Sequence, residues 1–336
     1  MFYTVTIPVY NSKQYLVECI ESILAQSETD YEILLVDDGS TDGSSEICDH
    51  YANQYAERIR IIHKNNSGSL FTRRVCLREA RGEYVYCMDS DDVLIDRNAL
   101  SNIRKTIENT NCDMVIFLVT KDKEKKTPYH PLDFLDKTVF DESNKEQLYK
   151  LFLTGTSINS LNNKIYKKDL IDVDGVYEPY TYIINGTDIF QLLPIITKAQ
   201  KIIYLNQVYY YYRMVEGSIG HSFHPGFFKS IKGNSSRLEE YLKFWGLFYN
   251  SEYRKLFNIK RLSGCITAAN RIKYCEKKSM AIKYLKEIAS DSYFFELYKT
   301  EKKRLSFSRR IIACLLNYHY YNIIWLIIKY LTVYRV

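Results

Sequence analysis

The chain has few of the residues that interrupt or cross-link a fold. Its 336 residues include 6 proline, 13 glycine and 8 cysteine, and no two cysteines form a CxxC pair. A chain of this length can bury a core without disulfides, so the cysteines need not form a disulfide framework. The first residues, 1–8, lack the basic and apolar regions of a secretory signal, and we expect a cytoplasmic protein. With 46% hydrophobic and 26% charged residues, the composition excludes a disordered or collagen-like chain.

Acidic residues are scarce in the last third of the chain. Residues 221–336 hold 22 Lys and Arg against 8 Asp and Glu, whereas residues 1–220 hold 24 against 32. A basic region suits nucleic acid or an anionic membrane surface. The cations lie beside apolar stretches and no nucleic-acid-binding module is recognisable, so we expect no nucleic-acid partner.

The segment 311–328 contains 18 residues without Lys, Arg, Asp or Glu. This length just reaches the minimum for a membrane-spanning helix, but Asn317, His319 and Asn322 make spanning unfavourable. Basic residues on both sides, together with Trp325 and several tyrosines, favour an amphipathic helix that lies on an anionic leaflet. A C-terminal helix packed on the core is the alternative.

The first 120 residues alternate β-rich runs with helical patterns. The predicted strands are Tyr3–Pro8, Tyr31–Asp37, Ile59–Lys64, Tyr84–Met88 and Asp113–Val119. The predicted helices between them are Tyr15–Gln26, Ser44–Ala56, Leu70–Ala80 and Leu100–Asn109. This alternation predicts an α/β fold with a mostly parallel sheet, helices on both faces, and ligands at the carboxyl ends of the strands.

Beyond residue 120 the pattern changes. The charged stretch 121–126 predicts a surface excursion rather than a domain boundary. Helices are predicted near Lys145–Leu153 and at Ile189–Ala199, followed by a hairpin-like pair at Ile202–Leu205 and Val208–Tyr212. From Pro225 onward the periodicity is helical. We therefore expect a sheet domain at 1–220 and a basic, aromatic helical region at 221–336.

Carboxylates follow two of the predicted strands. Asp37, Asp38 and Asp42 follow the second, and Asp89, Asp91 and Asp92 follow the fourth. So many carboxylates at one sheet edge repel one another unless a cation or hydrogen-bond donors lie between them. Oxygen ligands suit Mg²⁺ or Mn²⁺, which typically also bind phosphate oxygens, as in a pyrophosphate leaving group. Helix capping is the alternative role; we favour it for Asp42 and Asp96, and also consider it for Asp92.

An ordered series of motifs resembles the family-two glycosyltransferases. It comprises Ile7–Asn11, Tyr15-Leu16, Cys19–Ile23, Gln26, Val36–Asp42, Asn66–Gly68, and Arg81–Tyr84 leading into Asp89–Asp92. The resemblance is strong over residues 1–120 and weaker over 155–220. It implies a Rossmann-like GT-A fold, a nucleotide-sugar donor, an inverting reaction and a divalent cation.

The resemblance also implies roles for individual residues. Asp91 would bind the metal, Asp89 the ribose or sugar, and Asp38 a nucleobase, which suits uracil and hence a UDP-sugar donor. The other residues implied to bind the donor or orient the acidic cluster are Pro8, Tyr10, Asn66 and Arg73. Arg74 and Cys76 depart from the usual motif, which bears on donor selectivity.

Resemblance also points to the base that an inverting transfer needs. Gly186-Thr187-Asp188 matches a Gly-Glu-Asp element that opens an apolar helix, with Thr187 in place of Glu. Asp188 is therefore the predicted catalytic base, with Glu178 in reserve. A carboxylate at a helix N-terminus is also favoured by the helix dipole, and both roles can hold.

The segment from Tyr212 to Ile219 resembles the family's mobile lid over the diphosphate. Arg213 and Ser218 would contact phosphate oxygens, and Gly217 and Gly220 would give hinge freedom. His221 and His224 are weaker candidates for the metal shell.

The resemblance to bacterial capsule, cell-wall and O-antigen enzymes implies transfer of one sugar to a hydroxyl of a glycan. The basic tail suggests a lipid-linked acceptor and an enzyme peripheral on the inner face of the cell membrane. In this interpretation residues 1–120 bind the donor and residues 121–220 the acceptor. Two alternatives stay open: a non-catalytic nucleotide- or glycan-binding scaffold, and a metal-dependent nucleotidyltransferase.

Overall fold

The computed structural model describes residues 1–155, 157–215, 218, 220 and 222–331, with the side chains of Ser157 and Leu331 left out. The chain divides into two compact units. The first unit comprises Met1–Phe152, Thr156–Glu178 and Thr187–Met214. The second comprises Leu153–Gly155, Pro179–Gly186 and Val215–Val336.

The described residues of the first unit form a sheet of nine strands. They are β1 (Tyr3–Val9), β2 (Tyr31–Asp37), β3 (Ile59–His63), β4 (Tyr84–Cys87), β5 (Val93–Leu94), β6 (Met114–Thr120), β7 (Thr138–Phe140), β8 (Lys164–Lys167) and β9 (Ile202–Tyr211). Their order is β3-β2-β1-β4-β8-β6-β9-β5, with β7 also paired to β9. Strands β1 to β4 are mutually parallel, and so are β6 and β9, whereas β8 is antiparallel to both its neighbours.

Helices cover both faces of this sheet. They are α1 (Lys13–Leu24), α2 (Ser44–Gln54), α3 (Ser69–Glu79), α4 (Ala99–Thr110), α5 (Glu146–Thr154) and α6 (Asp188–Lys198). Because side chains alternate along a strand, Ile33 and Leu35 of β2 join the core with α1 and α4, while Leu34 and Val36 pack on Cys76 of α3. The predicted α/β fold, mostly parallel with helices on both faces, is confirmed.

The predicted hairpin at 202–212 is wrong, because the chain does not reverse there. Strand β9 runs parallel to β6 along its whole length, with Tyr204 opposite Ile116 and Val208 opposite Leu118. The exposed polar pair Asn206-Gln207 lies in a bulge between these two pairs. A polar interruption of two β-rich runs is typical of both a turn and a bulge, and only pairing with β6 distinguishes them.

The second unit is helical, as predicted from Pro225 onward. Its helices are α7 (Phe227–Phe244), α8 (Ser251–Asn270), α9 (Lys278–Ser290), α10 (Ser292–Glu301), α11 (Phe307–Asn317) and α12 (Tyr321–Leu326), followed by a π-helical turn at Ile327–Leu331. Residues from all six helices form one apolar core, in which Phe228, Leu285 and Leu316 are buried.

The uncharged segment 311–328 does not form one helix. It breaks at Tyr318–Tyr320 between α11 and α12, and its side chains Ile312, Leu316 and Ile324 are buried in the core of the second unit. The prediction that this segment forms one amphipathic helix is therefore wrong. As the alternative stated, the inner sides of α11 and α12 pack on the core. Among the residues that the structure describes, no helix is both long enough and apolar enough to cross a bilayer.

Candidate functional site

The carboxyl ends of β1, β2 and β4 meet at one edge of the sheet, as parallel strands require. Val9 lies opposite Asp37, and the backbone N–H of Asp38 donates to the carbonyl of Val9 at 2.8 Å. Pro8 is half-buried in β1, and Tyr10, just beyond that strand, is exposed. Asp37 itself is structural, because it accepts from Ser40 and Ser45 near the start of α2.

Asp38 holds the loop that follows β3. Its carboxylate pairs with Lys64 and accepts hydrogen bonds from the backbone N–H groups of Ser67 and Gly68, both at 2.9 Å. Asn66, in the same loop, is exposed. The loop approaches Gly39, where a Cβ would lie 3.2 Å from the backbone nitrogen of Asn66, and Gly39 has a φ of 74°. Glycine at this position therefore lets the two loops meet.

Arg73 joins two carboxylates from distant parts of the chain. Its guanidinium pairs with Asp89 after β4, and through Nη1 with Asp188 Oδ1 at 2.9 Å. The same nitrogen donates to Thr187 Oγ1 at 3.1 Å. Arg73 is 9% exposed, so its charge is compensated by these partners rather than by water.

Asp188 is the first residue of α6, the position at which the helix dipole favours a carboxylate. Besides its pair with Arg73, its Oδ2 accepts from the backbone N–H of Leu161 at 3.1 Å. Burial raises the pKa of Asp188, and the nearby charge of Arg73 opposes that rise. Its side chain keeps 20% exposure, so a substrate can reach it.

The Asp91-Asp92 turn is fixed by the end of β9. Asp92 is fully buried and accepts from the hydroxyl of Tyr210 at 2.5 Å and from the backbone N–H of Arg213 at 2.8 Å. The capping role considered for Asp92 is therefore wrong. Asp42 does cap helix starts, because its carboxylate accepts from the backbone N–H groups of Ser44 at the start of α2 and Lys13 at the start of α1.

Asp91 is left with its charge poorly compensated. Burial, and then the charge of Asp89, raise the pKa of Asp91 to about 6. A cation would relieve both effects. Among the described residues no group of three His, Cys, Asp or Glu side chains could hold a metal. Mg²⁺ commonly binds one or two carboxylates together with substrate phosphates, so Asp91 fits a metal completed by a diphosphate.

Arg213 lies next to this turn. Its Nε donates to the carbonyl of Asp91 at 2.8 Å, and its guanidinium pairs with Glu18 of α1. It also stacks on the ring of Tyr15, 5.1 Å from its centroid. This position leaves a fixed cation beside the acidic turn.

The weaker candidates lie elsewhere along the chain. Glu178 is exposed and accepts from the backbone of Tyr177. Ser218 and the exposed His224 belong to the second unit, where His224 accepts from the backbone N–H of Gly226. Gly217 and His221 lie outside the described residues.

The structure also adds residues that the motifs did not predict. Tyr210 fixes Asp92, and the amide of Asn162 donates to Asp89 at 3.4 Å. Arg74 instead contacts a neighbouring loop, donating to the carbonyls of Asp172 and Val173 at 2.5 and 2.8 Å. No local pattern distinguishes Tyr210 among 31 tyrosines, since its partner is distant in sequence.

The family model for glycosyl transferase family 2 matches residues 4–174, slightly more than half of the chain. These residues include the strand ends and every member of the acidic cluster except Asp188. The chain belongs to glycosyl transferase family 2.

Relatives within this family differ in how much of the chain they match. GlyA of Streptococcus pneumoniae serotype 4 is 31% identical over 64% of this chain and 31% of its own length. The chain spans about a third of the length of the first curated relatives it matches. The cholesterol galactosyltransferase of Borreliella burgdorferi is 28% identical over 89% of this chain and 86% of its own length.

The crystal structure of residues 1–349 of TarS from Staphylococcus aureus in complex with UDP-GlcNAc has the same fold. The TM-score is 0.66 at 18% identity, and the alignment covers 98% of this chain and 90% of that one. The predicted GT-A fold with a helical C-terminal region is thereby confirmed.

Proposed function

We propose that this family member is an inverting, metal-dependent glycosyltransferase. It moves a single sugar from a UDP-sugar to a hydroxyl group of a glycan in bacterial surface polysaccharide synthesis. The observation that carries the proposal is the Arg73 bridge, which brings Asp188 to the carboxylate Asp89 at the strand ends. Such an arrangement supplies a base next to a site that can bind a donor.

In the reaction, Asp188 accepts the proton of the acceptor hydroxyl while that oxygen forms a bond to the sugar C1. The bond from C1 to the diphosphate oxygen breaks, and UDP leaves with the electron pair. Burial raises the pKa of Asp188, which suits a group that must take up a proton, and the contact with Arg73 opposes this rise and so favours the ionised form. Arg213 is close enough to the Asp91-Asp92 turn to compensate charge on the departing diphosphate.

Mn²⁺ or Mg²⁺ held by Asp91 would, when bound, supply positive charge to the diphosphate. Asp89, which Arg73 and Asn162 orient, would contact the ribose or sugar. Pro8, Tyr10, Asp38 and Asn66 would line the nucleotide site, as the family resemblance implies. The TarS structure in complex with UDP-GlcNAc supports a uridine nucleotide as the donor.

We also propose that the acceptor is linked to a lipid and that the enzyme works in the cytoplasm, peripheral on the inner face of the membrane. The relative that aligns over most of both chains is named a cholesterol galactosyltransferase, which supports a lipid acceptor. The excess of cations in residues 221–336 supports an anionic membrane as the second partner.

The test is UDP release from a panel of UDP-sugars, with Mn²⁺ or Mg²⁺ and with EDTA. The variants are Asp91→Asn, Asp188→Asn and, as a matched control, Asp174→Asn, which changes an exposed carboxylate of the same unit. We expect one donor to turn over, EDTA and Asp91→Asn to stop it, and Asp174→Asn to leave it unchanged. Asp188→Asn should lower transfer by about 10²–10⁴-fold while UDP binding persists.

Other outcomes identify the alternatives. If no donor is hydrolysed and calorimetry shows no metal-dependent UDP binding, the proposal fails and a scaffold takes its place. If a nucleotidyl group is transferred and Asp188→Asn has no effect, the protein is a nucleotidyltransferase. The presence of Thr187 where the family motif has Glu does not by itself favour a scaffold. Thr187 accepts a hydrogen bond from Arg73, which also pairs with Asp89 and Asp188.

A further inference from the structure

Helix α11 carries a stripe of apolar side chains on its solvent side. Phe307 at 72%, Ile311 at 38% and Tyr318, the residue directly after the helix, at 61% are exposed, and Leu315 between them is half-buried and packs against the core. Their spacing of three and four residues places them on one side of the helix. The opposite side of α11 is buried in the core of the second unit, through residues such as Ile312 and Leu316. The core therefore does not explain the exposed stripe.

Helix α12 and the turn after it repeat this arrangement. Ile323, Leu326 and Tyr330 are exposed at spacings of three and four, while Ile324 and Trp325 are buried. Both α11 and α12 pack on α9. Because the buried residues of both helices belong to the core of the second unit, their exposed stripes both lie on the side away from that core. We call these six exposed residues the outer face; they are Phe307, Ile311, Tyr318, Ile323, Leu326 and Tyr330.

The charges around the outer face have one sign. Residues 302–331 contain no Asp or Glu, and Lys302, Lys303, Arg304, Arg309 and Arg310 stand at the start of α11 or just before it. Arg304 pairs with Glu301. Within the described part of the chain, no carboxylate lies within ion-pairing distance of Lys303, Arg309 or Arg310. These cations are therefore available to an external anion.

We propose that the outer face of α11 and α12 binds an anionic lipid bilayer. The apolar side chains enter the interface between headgroups and acyl chains, and Lys303, Arg309 and Arg310 contact the headgroups. Apolar insertion and cation attraction act together, which is what stable peripheral binding requires. This inference deepens the membrane part of the proposed function, but vesicle binding itself requires no catalysis.

The test is co-sedimentation of the full chain with vesicles of phosphatidylcholine alone or mixed with phosphatidylglycerol. The variant Phe307→Ser/Ile311→Ser/Leu326→Ser removes apolar contacts from the outer face, and Arg309→Gln/Arg310→Gln removes cations. The matched control is Phe244→Ser/Tyr249→Ser, which changes two exposed aromatic residues elsewhere in the second unit. Circular dichroism and urea unfolding identify any variant that fails to fold.

We expect the wild type to bind mixed vesicles and to bind phosphatidylcholine vesicles at least tenfold more weakly. Each outer-face variant should weaken binding to mixed vesicles by at least tenfold, and the control should bind as the wild type does. Equal binding to both vesicle types would overturn the proposal, and so would a folded apolar variant that binds normally. If light scattering shows that the apolar variant instead converts a dimer to a monomer, the outer face is a contact between copies.

Release of UDP from free UDP-sugar separates this inference from the proposed function. Vesicle binding by a protein that neither hydrolyses any donor nor shows metal-dependent UDP binding in calorimetry would support membrane binding by the outer face and contradict the enzyme. Hydrolysis of a donor without vesicle binding would support the proposed enzyme and contradict the proposal that the outer face binds a membrane. Because none of the substituted residues belongs to the catalytic cluster, the vesicle variants should release UDP at the wild-type rate.

Discussion

Charged side chains are paired at the strand ends of the first unit, whereas several cations near the outer face of the second unit are not. At the strand ends, Arg73 is enclosed between two carboxylates and Asp38 holds Lys64. Near the outer face, Arg309 and Arg310 have no carboxylate within ion-pairing distance among the described residues, and the exposed Phe307 and Ile311 are close to them in the same helix. Enclosed pairs fix the geometry of a small site, whereas uncompensated cations beside apolar groups suit a large external surface. The difference predicts different sensitivities to substitution.

The largest expected effect comes from breaking the enclosed cluster. Arg73→Met keeps the volume of the side chain but leaves Asp89 and Asp188 without their shared cation. Removing one partner of a buried ion pair leaves an uncompensated charge, so we expect a loss of about 3–5 kcal/mol in the free energy of unfolding. Urea unfolding measures it.

The matched control is Arg78→Met on the same helix. Arg78 is exposed and, among the described residues, forms an ion pair only with its half-buried neighbour Glu79, so we expect a change within about 0.5 kcal/mol. If the two variants are equally stable, the charges of the cluster are solvated rather than enclosed.

The second prediction contrasts the two sides of α11. Leu316 is fully buried and Ile311 is exposed, although both are aliphatic residues of the same helix. Leu316→Ala should lower the free energy of unfolding by about 2–5 kcal/mol, because it leaves a cavity. Ile311→Ala should change it by less than about 1 kcal/mol. Similar losses in thermal or urea unfolding would mean that the outer face is part of the core.

The third prediction concerns Lys164, a cation of the first unit that has no carboxylate partner within ion-pairing distance among the described residues. It is fully buried in β8 and donates to the carbonyl of Ser160 at 2.5 Å and to Asn163 Oδ1 at 2.6 Å. Burial lowers the pKa of Lys164 to about 7, against which the charge of Asp188 acts only in part. The unfolded value is about 10.4.

Between these two pKa values the unfolded chain binds a proton that the folded chain does not. The stability of the wild type relative to Lys164→Met should therefore rise with pH from about 7, with a slope of up to about 1.4 kcal/mol per pH unit. Urea unfolding at several pH values between about 6 and 9 measures this slope. Lys125→Met, at an exposed site, is the control. A pH-independent difference would show that Lys164 stays charged in the folded protein.

The sequence predicted those parts of the molecule that depend on local pattern. Strands β1 to β4 and the placement of Asp89 and Asp91 follow from apolar runs that end in carboxylates. The pair between Arg73 and Asp188 and the contact of Tyr210 with Asp92 could not be derived from local pattern, because their partners lie more than a hundred residues apart. The bulge in β9 and the break in 311–328 depend on packing against β6 and α9, which no local pattern reports.

The smallest expected effect tests a cation of intermediate burial. Arg74 donates to two carbonyls of the 172–173 turn and lies 4.0 Å from the ring centroid of Tyr177. A lysine keeps the charge but has neither the planar fork nor the stacking surface, so Arg74→Lys should cost about 1 kcal/mol and loosen this loop. Hydrogen exchange should increase at residues 172–178 and stay unchanged for the control Arg78→Lys. If exchange there is unaffected, other contacts hold the loop, and the Arg74 contacts contribute little to it.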